Sequence, residues 1–136
     1  MRVTSLPLAS VKRLLTEANL PTSDLTEAHL QHFFASGEDG VVGLEIYPPV
    51  ALLRSLAVAA SARGRGIGSA LLADVERYAR EHHIQQIYLL TSTAEQFFAR
   101  AGYERVERAA VPQAIQQTQE FSTLCPASSA LMRKQL

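Results

Sequence analysis

The chain contains 136 residues, and its 13 lysines and arginines are balanced by 13 aspartates and glutamates. This length suits one domain, residues 1–136, and the zero net charge gives no general attraction to nucleic acid or to an anionic membrane, so we expect neither as a partner. The single cysteine, Cys125, can form no internal disulfide and supplies too few thiolates for a structural zinc site, so we expect no metal and a reducing, cytoplasmic location.

Hydrophobic periodicity predicts a mixed α/β (α+β) domain. In chain order we expect strand 2–7, a helix from Ser10 to about Pro21, a short helix from Ser23 or Asp24 to Leu30, a hairpin that turns at 36–40, strand 41–47 and a central strand 50–59. The stretch 30–35 could instead belong wholly to the first hairpin strand. A long helix begins at Ile67 with Glu76 and Arg80 on its solvent side. Then follow strand 84–91, helix 94–101 capped by Ser92 or Thr93, strand 103–111, helix 113–121 and strand 130–136.

A glycine-rich turn, SARGRGIGSA at 61–70, separates the central strand from the long helix. Gly64, Gly66 and Gly68 allow a tight turn and leave backbone N–H groups uncovered. The helix that begins there adds its positive dipole end and its unpaired amides. Arg63 and Arg65 can pair with an anion. The turn therefore predicts a phosphate or pyrophosphate site.

Two familiar anion-binding patterns do not fit this turn. The Walker loop requires Gly-Lys-Ser/Thr, and no lysine occurs between Arg13 and Lys134. The dinucleotide fingerprint requires a later third glycine and an acid that closes the next strand, and strand 84–91 has none. A plain strand-to-helix turn stays open. The spacing R-x-x-G-x-G, read at Arg63, Gly66 and Gly68, resembles the coenzyme A loop of the GNAT acetyltransferases.

The resemblance to the GNAT family extends over nearly the whole chain. It includes LLRSLAV at 52–58, TAEQFFARAGY at 93–103 and the closing strand 130–136. In finer detail, LLRSLAV, YLLTSTA at 88–94 and LCP at 124–126 resemble the N-acetyltransferases found beside arsenic-resistance genes. The resemblance implies an acyl-CoA N-acyltransferase fold. Its twisted mixed sheet, flanked by helices, would splay between the fourth and fifth strands and admit acetyl-CoA as a co-substrate.

The same resemblance implies the residues that bind the cofactor. Pantetheine would pair with Leu56, Ala57 and Val58 like an added strand, and the amide of Ala57 or Val58 would donate to the thioester oxygen. The pyrophosphate would be held by Arg63, Gly64, Arg65, Gly66, Ile67, Gly68 and Ser69. Phe97 and Phe98 would form the core or the cofactor wall. Many members of the family have a tyrosine at the position of Phe98 as general acid. Here Thr91, Thr93, Tyr103 or a water would replace it. Thr91 is also predicted to bind the cofactor.

Two charges on neighbouring predicted strands are the catalytic candidates, since Glu45 is the one charge on strand 41–47 and Arg54 the one charge on strand 50–59. Glu45 could remove the proton of the amine, directly or through water, or could simply pair with Arg54. Arg54 has a further option, which is to hold a substrate carboxylate. Cys125 is interpreted as a small buried hydrophobe, neither a nucleophile nor an arsenic ligand.

These features predict an acetyl-CoA-dependent N-acetyltransferase that acts on the primary amine of a small molecule, such as an amino-acid-like toxic compound or an organoarsenical. The alternative is a catalytically idle acyl-CoA-binding module that regulates a partner, and a protein Nα-acetyltransferase is a weaker one. The segment 112–125 would either fold over the amine or form a surface or dimer helix, so a homodimer stays open.

Overall fold

The computed structural model describes residues 8–17, 22, 32–36, 39–62, 64, 66–91, 94–118 and 129–136. The helices are α1 (Leu8–Glu17), α2 (Ile67–Glu81), α3 (Glu95–Arg100) and α4 (Gln113–Gln116). The strands are β1 (Phe33–Ser36), β2 (Gly40–Tyr47), β3 (Val50–Val58), β4 (Gln86–Thr91), β5 (Glu104–Arg105) and β6 (Ala130–Gln135). Cys125, the predicted strand 2–7 and the predicted helix that ends at Leu30 all lie outside the described residues. None of the helices described here has the length and apolar character needed to cross a membrane.

The six strands form one mixed sheet in the order β1-β2-β3-β4-β6-β5. The predicted hairpin is confirmed, because β1 and β2 pair antiparallel from Phe33↔Gly43 to Ser36↔Gly40. Among the described strands, β3 and β4 are the one parallel pair, since α2 carries the chain back along the sheet between them. β3 is central, which explains why its sequence is almost uninterrupted in apolar residues.

Helices cover both faces of this sheet and bury a different set of side chains on each. On one face, α2 and α3 pack over a large cluster that includes Leu53, Leu71, Val75, Ile87 and Phe98. The opposite face has two smaller clusters. The α1 cluster comprises Val11, Leu14, Leu15, Phe33, Val41 and Ala57. The α4 cluster comprises Val50, Leu52, Tyr88, Val111, Ile115 and Leu131.

Several predicted elements differ from the structure. Strand 103–111 is wrong for most of its length, because the strand ends at Arg105, the Val106 amide makes one more bond to Leu131 of β6, and a 3-10 turn follows at Arg108–Ala110. The two paired residues are both exposed, and this charged edge segment lacks the apolar alternation that would bury a longer strand. Helix 113–121 ends early, at Gln116, where Thr118 turns back to donate to the Ile115 carbonyl.

The solvent-side prediction for Glu76 is also wrong, because this side chain is buried on the inner side of α2 and is 7% exposed. It accepts hydrogen bonds from the Tyr103 hydroxyl and the Lys134 ammonium, each at 3.0 Å. Tyr103 immediately precedes β5, and Lys134 is in β6. Their hydrogen bonds satisfy the buried carboxylate, which the helical pattern predicts to face solvent.

Candidate active site

The two parallel strands at the centre of the sheet pair only near their N-terminal ends. The ladder contains Val50↔Gln86, Ala51↔Ile87 and Leu52↔Tyr88. Within the described parts of both strands, the ladder between β3 and β4 does not continue beyond Leu52 and Tyr88. The sheet therefore opens after Leu52, which confirms the predicted splay between the fourth and fifth predicted strands. An opened strand edge can accept an extended ligand that pairs like an additional strand.

The glycine turn leads from the open end of β3 into α2. Gly64 and Gly66 have φ angles of 83° and 76°, a conformation that residues with a side chain rarely adopt. Gly66 is the N-cap of α2 and, having no side chain, makes no capping bond to the first helical amides. The N-terminus of a helix that begins in this way suits an anion. Arg63 and Arg65 lie outside the described residues, and their role in this site stays a prediction.

Gly68 brings three parts of the predicted cofactor site together. A Cβ atom built on Gly68 would lie 3.5 Å from Phe97 Cζ and 3.8 Å from Val58 Cγ2. The first turn of α2 thus packs between the end of β3 and helix α3. Ile67 is half-buried and Ser69 is exposed at the same turn. Gly68, Val58 and Phe97 are consequently neighbours in the structure.

β3 contains a bulge at the point where it leaves β4. Val41 pairs with Ala57, but Gly43 pairs with Arg54, so Ser55 and Leu56 together lie opposite one residue of β2. Ser55 has a φ of 64°, in the left-handed region that favours glycine. Sequence reasoning missed this bulge, because the local sequence contains no glycine to indicate it.

The bulge changes the face to which the following side chains point. Leu53 and Leu56 pack with the cluster under α2, whereas Ala57 packs with the α1 cluster. Strict alternation would have placed Leu53 and Ala57 on the same face. The extra residue therefore sets the orientation of the strand edge that faces the gap.

Glu45 and Arg54 form a buried ion pair across β2 and β3. Arg54 Nη1 donates to Glu45 Oε2 at 2.6 Å, and Tyr47 donates its hydroxyl to Glu45 Oε1 at 2.5 Å. Arg54 Nε donates to Ser55 Oγ at 3.0 Å. The Arg54 side chain is 0% exposed and that of Glu45 is 11% exposed. Sequence reasoning proposed the pair as one alternative, but it did not find Tyr47 or Ser55 as members of the network.

The remaining predicted residues that the structure describes are Thr91, at the end of β4, and Phe97 and Phe98, in α3. Phe98 is buried, with its ring 5.1 Å from that of Phe97 and 5.6 Å from that of Tyr103 in edge-to-face geometry. Thr91 Oγ1 accepts a hydrogen bond from the Ala94 amide at 3.0 Å. Ala94 is the N-cap of α3 and has no side-chain cap bond, while Ser92 and Thr93 lie outside the described residues.

A cleft of about 510 Å³ lies between α2 and α3, next to the glycine turn. It is lined by Ser69, Leu72, Ala73, Glu76, Phe97, Arg100, Ala101 and Lys134.

Burial, together with the adjacent Glu76 carboxylate, raises the pKa of the Tyr103 hydroxyl well above its ordinary value. Tyr103 is therefore a poor proton donor at neutral pH, which weakens it as a replacement for the general acid. Among the described residues, no three histidine, aspartate, glutamate or cysteine side chains are grouped to hold a metal ion.

A mixed sheet that opens between two parallel strands, beside a glycine turn that starts a helix, defines an acyl-CoA N-acyltransferase fold. Solved structures with this fold include Rv2747 from Mycobacterium tuberculosis in complex with CoA and NLQ. Its TM-score is 0.78 at 20% identity, over 95% of this chain and 93% of that chain. N-acetylglutamate synthase from Neisseria gonorrhoeae with coenzyme A and L-arginine gives 0.82 at 19% identity, over 100% of this chain and 32% of that chain.

Sequence comparison gives the family. A family model described as an acetyltransferase (GNAT) domain matches residues 28–105, more than half of the chain. The uncharacterized N-acetyltransferase CT2212 of Chlorobaculum tepidum is 34% identical over 92 residues, which cover 64% of this chain and 59% of that relative. The match thus spans less than two thirds of the curated relative's length. This chain belongs to the GNAT acetyltransferase family.

Proposed function

We propose that this protein transfers the acetyl group of acetyl-CoA to the primary amine of a small, amino-acid-like molecule. The observation that carries this proposal is the position of Glu45 in the sheet. Glu45 pairs with Leu52, and Leu52 is the last residue of β3 that pairs with β4. The carboxylate of Glu45 therefore lies at the level of the sheet where the gap between β3 and β4 begins. An amine that attacks an acyl group in this gap needs a proton acceptor near that row.

On the donor side, acetyl-CoA supplies the activated acyl thioester when it is bound, and the chain supplies backbone groups to hold it. The edge formed by Leu56, Ala57 and Val58 would pair with the pantetheine arm. The glycine turn and the first amides of α2 would hold the pyrophosphate, with Arg63 and Arg65 neutralising its charge. Phe97, Phe98 and Thr91 would form the wall opposite this edge.

One backbone contact favours Val58 over Ala57 as the donor to the thioester oxygen. The amide of Ala59 donates to the carbonyl of Asp39 at 2.7 Å, which is on the β2 side of the strand. Successive amides of a strand point to opposite edges. The amide of Ala57 is therefore directed to β2, and that of Val58 is directed to the gap, where it would stabilise a developing oxyanion.

On the acceptor side, we assign proton removal to Glu45. Its oxygens accept from Arg54 and Tyr47, and the lone pairs that remain would take the amine proton directly or through water. Arg54 is fully buried, so we assign it to holding Glu45 in place and not to binding a substrate carboxylate. The α1 and α4 clusters flank the pair on the same face of the sheet. This enclosure suits the amine of a small molecule better than a lysine on a folded protein.

Amino-acid-like substrates are chosen for the test from the ligands of the structural neighbours. The Neisseria gonorrhoeae synthase was crystallised with L-arginine and with N-acetyl-glutamate. The resemblance to acetyltransferases beside arsenic-resistance genes adds an organoarsenical amino acid to the panel. The likeness at 19–20% identity supports only this choice.

The test measures thiol release from acetyl-CoA with α-amino acids, their decarboxylated amines, polyamines, aminoglycosides, an organoarsenical amino acid and a peptide with a free N-terminus. We expect turnover with at least one amino-acid-like amine and none with the peptide. A preference for the organoarsenical would support the narrower subfamily. Turnover with the peptide alone would contradict a small-molecule substrate. Acetyl-CoA binding without turnover on any amine would favour the idle module.

A further inference from the structure

Ser55 combines an unfavourable backbone conformation with a buried side-chain contact. Its φ of 64° lies where residues with a Cβ are disfavoured, and bulges with this conformation at their first position usually have glycine there. Ser55 is 5% exposed, and its hydroxyl accepts a hydrogen bond from Arg54 Nε at 3.0 Å. A conformation that the backbone disfavours persists when the surrounding contacts determine it.

The Arg54 side chain makes the contacts that hold Ser55 in this conformation. Its guanidinium is 0% exposed and is fixed at the other end by Glu45 Oε2, on the neighbouring strand. Two hydrogen bonds from one rigid planar group therefore define the position of the Ser55 hydroxyl relative to β2. A lysine could not make both bonds in this geometry, because it has a single nitrogen.

We infer that Ser55 is a positioning residue for the donor edge of β3, through which the buried Glu45–Arg54 pair fixes the orientation of Leu56, Ala57 and Val58. The bulge at Ser55 directs Leu56 to the α2 face and Ala57 to the α1 face, so it also determines which amides point into the gap. The strand edge at Leu56, Ala57 and Val58 is thus connected through Ser55 to the Glu45–Arg54 pair. This inference rests on the proposed function for its effect on catalysis, but its structural part concerns the ligand-free protein.

The test compares two substitutions that remove the same hydroxyl. Ser55→Ala removes the bond to Arg54 and keeps a Cβ in the left-handed region, whereas Ser55→Gly removes the bond and accepts this backbone without strain. Amide hydrogen exchange of residues 56–58 is measured in the ligand-free protein. We expect exchange at least tenfold faster than wild type in Ser55→Ala, which keeps the backbone strain without the bond, and about threefold to tenfold faster in Ser55→Gly, which loses the bond alone.

Kinetics provide the second readout. We expect Ser55→Ala to lower kcat about tenfold or more with little change in the KM for the amine, and Ser55→Gly to lower kcat by a smaller factor. Tyr103→Phe is the control for loss of a buried hydroxyl on the other face of the sheet. It is expected to lower the melting temperature without accelerating exchange at 56–58.

Two outcomes would overturn the inference. The first is wild-type exchange at 56–58 in Ser55→Ala, even if its melting temperature falls, because that would leave Ser55 a structural residue only. The second is wild-type exchange at 56–58 in Ser55→Gly, because the bond to Arg54 would then not fix the strand edge. Both readings come from the free protein, so they distinguish failure of this inference from failure of the amine assignment.

Discussion

Arg54 Nη1 donates to Glu45 Oε2 at 2.6 Å and so joins the adjacent strands β2 and β3 near the point where the sheet opens between β3 and β4. The pair is enclosed between the α1 and α4 clusters, and Tyr47 donates to the second carboxylate oxygen. The carboxylate of Glu45 is therefore held from two sides.

The first prediction concerns Glu45. Glu45→Gln should lower kcat by about 10²-fold or more, because a positioned general base typically contributes that much. The affinity for acetyl-CoA, measured by calorimetry, should change little, since the donor edge lies further along β3. Unchanged turnover would remove Glu45 from the reaction.

Stability and chemistry at Glu45 can be separated with a double variant. Glu45→Leu leaves the Arg54 charge buried without its carboxylate, which should cost about 3 to 5 kcal/mol. Adding Arg54→Met replaces the pair with apolar groups and should restore most of the melting temperature. Activity should remain absent in the double variant. Recovered activity would mean that the pair serves only to stabilise the fold.

A second prediction distinguishes two glycines of the turn. Gly66→Ala places a Cβ at a φ of 76° and should destabilise the protein by about 1 to 2 kcal/mol in addition to weakening coenzyme A binding. Gly68→Ala fits beside Phe97 at an ordinary contact distance of 3.5 Å, so its melting temperature should stay near wild type.

If the first turn of α2 holds the pyrophosphate, the added methyl in Gly68→Ala should still weaken coenzyme A binding by about tenfold or more. Calorimetric titration and thermal denaturation of the two variants measure binding and stability independently. Wild-type affinity in both variants would place the diphosphate elsewhere.

A third prediction is a dependence of stability on alkaline pH. The pKa of Tyr103 is raised above its ordinary value of 10.0 by burial and by Glu76, so the folded protein keeps a proton that the unfolded chain releases. The stabilisation from this group is complete below pH 10 and is lost as the pH rises above it.

Tyr103→Phe should therefore be less stable than wild type near neutral pH, since it loses the hydrogen bond to Glu76, but its stability should fall less steeply above pH 10. Urea denaturation between pH 8 and about 11 gives both slopes, and this range follows from the ordinary tyrosine pKa. Parallel curves for the two proteins would show that Tyr103 titrates normally.

The sequence was sufficient for the elements that depend on local apolar pattern. The hairpin around Gly40, the central strand β3 and helix α2 were predicted with boundaries that agree within a few residues. The opening of the sheet follows from the family resemblance, which rests on the spacing of Arg63, Gly66 and Gly68 together with LLRSLAV at 52–58 and TAEQFFARAGY at 93–103. Periodicity and glycine spacing are local properties, so they can be read from one chain.

The features that sequence analysis missed depend on contacts between distant residues. Glu76 is buried because Tyr103 and Lys134 reach it from 27 and 58 residues along the chain. The bulge at Ser55 requires Arg54 and its partner on β2, and a serine gives no local signal for a left-handed backbone. β5 is short because its charged residues form the edge of the sheet.

The measurement that tests the central claim most directly is a titration of the ¹⁵N-labelled protein with acetyl-CoA, followed by backbone amide shifts. The account predicts that the largest changes cluster at residues 56–58 of β3 and at 64–69 in the turn and first helical residues. Changes confined to other parts of the chain, or no binding at all, would contradict the assignment of the opened strand edge and the glycine turn to the acyl carrier.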